Sequence, residues 1–182
     1  VARVATAVRT RRPGEWVRGR GWHEGKWDAP APGAVRGFPT HHALTAVSPD
    51  NPVVLDRADG HAVLANARAM ALRGITRTTA PPEGGEILRD TAGQASADFD
   101  SSAERLVAAP ERSADEVRRA LELAMDECLS KGVTSLTDAG AGTDVIALYR
   151  EAAAAGTLRT RLYVMAAGMP TMRALGRPDP GN

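Results

Sequence analysis

The sequence predicts an α/β fold, and two stretches carry the prediction. Residues 52–75 open with a short apolar run, Val53-Val54-Leu55, that reads as a buried strand. Asp56, Arg57, Asp59, Gly60 and His61 then arrive together as a polar corner. Val63, Leu64, Ala67, Met70, Ala71 and Leu72 follow at helical spacing, and Gly74 closes that helix. The expected order is strand, polar corner, helix. Residues 113–166 repeat the alternation as helix, strand, helix, strand, the order of consecutive units in a parallel α/β fold. A polar corner at the end of a buried strand is where such folds place chemistry.

Each element has its own signal. Apolar residues at 1, 4, 5 and 8 predict an amphipathic helix that Pro13-Gly14 breaks. Residues 15–22 read as a strand ending in Gly19-Arg20-Gly21-Trp22. Glycines there allow close backbone approach to a ligand, or mark only a bulge with tryptophan as core filler. Residues 23–39 are loop-like. Thr40 is placed to cap a short helix through Val47, and Ser48-Pro49-Asp50-Asn51-Pro52 is a turn. Residues 86–88 predict a short strand and 90–93 a hairpin turn. Ser113 and Glu116 form a capping box for a helix over 113–131, closed by Gly132. Its apolar stripe includes Cys128, which places that thiol in the core. Strands over 133–137 and 160–166 flank a helix over 144–155. These two strands are expected to be parallel neighbours.

Composition excludes several classes. The net charge is +1, so nothing favours a nucleic-acid partner. A single cysteine, Cys128, rules out an internal disulfide. No apolar run approaches the ~20 residues of a membrane span. No membrane partner and a cytoplasmic location are therefore expected.

The central stretch resembles the RxDGHxxxxN segment of the amidohydrolase superfamily, in its YtcJ-like (amidohydrolase-3 type) branch. Arg57, Asp59, Gly60, His61 and Asn66 carry the motif. Three further runs match in order: WVRGRGW at 16–22, TAVSPDNPVVL at 45–55 and GVTSLTDAG at 132–140. The resemblance extends from about Val1 to about Ala167. It implies a metal-dependent hydrolase, on a TIM-type (β/α) barrel, that cleaves carbon–nitrogen bonds of small amide-type substrates. A closed barrel takes about 250 residues and this chain has 182, so a partial barrel from a longer enzyme is expected. Residues 1–107 would be an inserted mixed α+β cap with the strand-corner-helix at 52–75. Residues 108–170 would be barrel units, and 171–182 a tail. An open, doubly wound domain is the alternative fold. A non-catalytic α/β scaffold is the alternative function.

The resemblance also implies a divalent metal, zinc above all, in the full-length parent. Its ligands in the family are an HxH pair, two later histidines, a late aspartate and a glutamate in a PTGVLxE segment. This sequence has no HxH and no histidine beyond His61. Ser101 stands opposite the glutamate, with Asp100 one position away. The expectation is that this chain alone holds no catalytic metal and is inactive. His61 and Asp138 remain as candidate catalytic groups. The alternatives are a core histidine satisfied by backbone and an aspartate that caps the next helix. Arg20 and Trp22 are candidate substrate contacts. Arg57 and Asp59 are expected to pair and hold the corner. His41-His42 suggests metal, but adjacent helical residues point different ways.

Overall fold

The computed structural model describes residues 1–90, 93 and 95–176, with only the backbone of 96–98, 100 and 101. The architecture is mixed α/β, in two compact units, Val1–Pro110 and Glu111–Asn182.

The first unit is built on a five-stranded sheet. Its strands are β1 (Val17–Trp22), β2 (Val53–Arg57), β3 (Ala62–Ala65), β4 (Gly85–Arg89) and β5 (Ala95–Ser101). They lie in the order β1-β2-β3-β5-β4. β1 and β2 run parallel, with Val17 opposite Val53. The other pairs are antiparallel. Helices α1 (Ala2–Val8), α2 (His42–Val47) and α3 (Ala67–Leu72) complete the unit. The core is one cluster in which Val53, Ala65, Phe99, Ala103 and Val107 are fully buried. Phe99 stands at the centre of the register, between Val63 on β3 and Ile87 on β4.

The strand-corner-helix expectation is corrected here. Residues 62–65 form β3, which turns back antiparallel on β2, and the helix starts only at Ala67. All four residues of β3 are buried, because β2 and β5 pair with it on either side. A four-residue apolar run buried on both faces has no period of its own and reads as helix or strand alike. Asp59-Gly60 is the hairpin signal that decides between them. Gly60 has φ +75°, and its N–H donates to Arg57 O at 3.0 Å. Thr40 does not cap α2; His41 holds that position.

In the second unit, α4 (Ala114–Ser130) carries the expected capping box between Ser113 and Glu116. β6 (Ser135–Ala141), α5 (Thr143–Ala154), β7 (Arg161–Ala166) and α6 (Gly168–Leu175) follow. β6 and β7 are parallel neighbours, Leu136 opposite Leu162 and Asp138 opposite Val164. The first of the two strands lies later than the 133–137 expected, because Lys131 and Gly132 are spent ending α4. α6 occupies the start of the segment expected as a tail, and 177–182 lie outside the described residues. Along both strands alternate residues are half-buried, and Tyr163 and Met165 face out. Cys128 is half-buried on α4. Among the described residues no helix is long and apolar enough to cross a membrane.

Candidate functional site

The parallel pair β1–β2 ends at Trp22 and Arg57, and ligands of α/β sheets gather beyond the C-terminal ends of such strands. Arg57 organises this end. Its Nε donates to Glu24 Oε2 at 2.9 Å and its Nη2 to Glu24 Oε1, a two-toothed pair. Nη1 donates to Asp59, so the expected Arg57–Asp59 ion pair forms. The guanidinium also lies 5.9 Å from the Trp22 ring centroid and 5.6 Å from that of Phe38. It is 15% exposed, so it is largely desolvated and fully engaged. The Arg57 bonds hold the Glu24 carboxyl below its usual range. Burial pushes Asp59 up, but the His61 N–H bond and the Arg57 charge outweigh it and leave Asp59 lowered.

The candidate substrate contacts stand at this end. Trp22 is half-buried, donates Nε1–H to Leu55 O at 2.7 Å, and packs tilted on Trp27 at 6.4 Å. Its N–H is therefore committed to the fold. Arg20 is exposed on β1, opposite Asp56 in register. His61 follows at the hairpin tip. Its backbone N–H donates to Asp59 Oδ1 at 3.2 Å, while the residue is exposed. That fixes the backbone of the tip and leaves the imidazole in solvent.

Asn66 is fully buried and ties the stretch together. Its Oδ1 accepts from Val53 N and Ala69 N, both at 2.9 Å. Its Nδ2 donates to Ser48 O, Ser48 Oγ and Asn51 O, at 2.8–3.0 Å. One side chain thus caps α3, closes β2 and anchors the preceding turn.

Asp138 lies in the second unit, on the half-buried face of β6. Its Oδ1 accepts from Gly140 N at 3.1 Å and its Oδ2 from Tyr149 O–H at 2.7 Å. It does not cap α5, whose N-cap is Gly142. Burial, then the Asp138 bond and charge, push the Tyr149 phenol up to about 12.

The adjacent histidines behave differently from expectation. His41 is the N-cap, with a helical backbone, and its ring meets that of His42 edge-on at 4.2 Å. Both border an open cavity of about 400 Å³ with Met70, Ile75 and Ala95. His41 Nδ1 is 3.1 Å from Thr45 Oγ1, which accepts the Ala67 N–H at 3.0 Å. Burial, then the His42 charge, lower the His41 pKa, against a smaller upward pull from Asp90. A lowered histidine favours the neutral folded form, so its stabilisation is present above the ordinary pKa of 6.5 and is lost as pH falls below it. The urea midpoint, read by tryptophan fluorescence, should therefore fall between pH 7.5 and 5.5. His41→Gln should flatten that dependence; an unchanged slope would count against it.

Among the described residues no three His, Cys, Asp or Glu side chains come together to hold a metal ion. The donor set of the described residues does not fit a catalytic dication. The side chains of Asp100 and Ser101, at the place of the implied glutamate, lie outside the described residues.

The profile of the Amidohydrolase family matches residues 1–182. This chain belongs to the amidohydrolase family. It is 32% identical to YtcJ of Bacillus subtilis over 158 residues, which are 83% of this chain and 29% of that protein. It is 34% identical to the N-substituted formamide deformylase of Arthrobacter pascens over 175 residues, 92% of this chain and 31% of that enzyme. The fold is similar to that of an uncharacterized metal-dependent hydrolase from Pyrococcus horikoshii. The TM-score is 0.53 at 16% identity, over 87% of this chain and 29% of that one. The chain thus spans less than a third of the length of the relatives it matches.

For this amidohydrolase-family chain, the motif residues divide by task. Arg57, Asp59, Gly60 and Asn66 build the hairpin and its cap, while the His61 imidazole stays free of the framework. Glu24, Phe38 and Tyr149 were not singled out from sequence. Each is distant in sequence from its partner, and no local pattern marks them.

Proposed function

We propose that this chain is part of a metal-dependent hydrolase that opens carbon–nitrogen bonds, other than peptide bonds, in small amide-type substrates. Family membership across all 182 residues carries the reading. The formamide deformylase relative supports N-substituted formamides as the first substrate class to try. The parallel β6–β7 pair supports reading residues 108–170 as consecutive units of a TIM-type barrel. Residues 1–107 are then an inserted cap, with 171–182 following the barrel units.

The family implies a divalent metal, zinc first among them, which would polarise the carbonyl. The described residues do not bring together a ligand set for it, so ligands would come at least in part from elsewhere in the intact protein. The chain's own contribution is proton handling and substrate positioning. A departing amine must be protonated as the C–N bond opens, and an exposed imidazole on a fixed tip can deliver that proton. His61 has this character. Taken by itself in the second unit, Asp138, with each oxygen held, can accept a hydrogen bond from a substrate donor. The exposed face of Trp22 and the Arg20 guanidinium would line the approach.

The test is amine release from a panel of N-substituted formamides and simple amides by the intact, metal-supplied protein that carries this chain. Release from at least one formamide is expected. Absence of release across the panel would favour the rival, a non-catalytic α/β scaffold.

A further inference from the structure

The hydrogen-bonded ladder between β6 and β7 breaks after Asp138. Asp138 faces Val164 and the register resumes at Ala141 opposite Ala166, so Ala139 and Gly140 stand against Met165 alone. This is a bulge, the device that re-aims side chains at strand ends. Asp138 closes it from within, through the bond to Gly140 N. Tyr149 closes it from outside, because it sits in α5, beyond the 139–142 link, and bonds the other oxygen. The carboxylate is therefore held at both oxygens, by one group inside the link and one beyond it. A carboxylate accepts about four hydrogen bonds, so capacity is left on each oxygen. A phenol pushed up to about 12 stays protonated and keeps donating through the neutral range.

We propose that Tyr149 is a positioning residue that fixes the Asp138 carboxylate at the end of β6 and leaves its remaining lone pairs for substrate. This rests on the hydrolase reading, in which Asp138 accepts a hydrogen bond from substrate. A group oriented before substrate arrives adds to the rate because no reorganisation is needed in the transition state. Tyr149 itself touches no substrate.

The experiment compares the intact protein with Tyr149→Phe, Asp138→Asn and the double variant in amine release. Tyr149→Phe is expected to lower kcat at least about tenfold, the size of one charge-assisted hydrogen bond, with KM little changed. The double variant should be no slower than Asp138→Asn alone, since the phenol acts only through the carboxylate. Phenol titrations followed by NMR give a readout independent of turnover. Tyr149, assigned by its loss in Tyr149→Phe, should ionise at a lower pH in Asp138→Asn than in the wild type, with the part due to burial remaining. Full kcat in Tyr149→Phe, or a Tyr149 titration unmoved by Asp138→Asn, would overturn the proposal while leaving the hydrolase reading intact. An inactive wild-type protein would overturn both.

Discussion

Asn66→Ala is expected to destabilise the first unit by about 3–5 kcal/mol, against a typical total of about 5–15 kcal/mol for a domain. The side chain is fully buried, and its removal strands several groups at once. Val53 N and Ala69 N lose their acceptor, and Ser48 O, Ser48 Oγ and Asn51 O lose their donor. Each buried group left unmatched costs on the order of 1–3 kcal/mol, with some relief from water entering the space left behind. The loss of the α3 cap lies inside the same sum. Asn66→Asp is the informative companion. It keeps both acceptor bonds but turns a carboxylate towards carbonyl oxygens, so it should be destabilising as well. All three tryptophans, Trp16, Trp22 and Trp27, belong to the first unit. Tryptophan fluorescence in urea therefore reads this unit selectively. A midpoint within about 0.5 kcal/mol of wild type would show that the Asn66 network is not what holds the stretch.

The same stretch shows where the sequence is legible and where it is not. The Ser113–Glu116 capping box is readable because it rests on spacing within three residues, and the parallel β6–β7 pair because a helix between two strands returns the second beside the first in the same direction. The 62–65 segment was not. Its burial comes from β5, some thirty positions later, and long-range pairing overrides a local period. The hairpin signal Asp59-Gly60 was in view but was read as part of a functional corner. The His41–His42 ring contact is set by side-chain rotamers, which residue spacing alone does not specify. The sequence identifies Arg57, Asp59 and His61 in the first unit and Asp138 in the second as polar groups near strand ends. It does not tell framework from free group. Glu24 and Tyr149 make that distinction, by engaging Arg57 and Asp138, and both pairings depend on the folded chain.

His61 is the motif residue whose side chain the framework leaves to solvent, so it carries the central claim. General acid catalysis by a positioned imidazole contributes about 10²–10⁴-fold. The residue is exposed at a hairpin tip, and its backbone N–H donates to Asp59 Oδ1. His61→Ala should therefore change stability by less than about 0.5 kcal/mol, as surface substitutions do. The direct measurement is kcat for amine release by the intact protein and its His61→Ala variant, with the urea midpoint followed alongside by tryptophan fluorescence. The account predicts a loss of at least about 100-fold in kcat with the midpoint unmoved. Full activity in His61→Ala, or a loss of activity that tracks a fall in the midpoint, would contradict it.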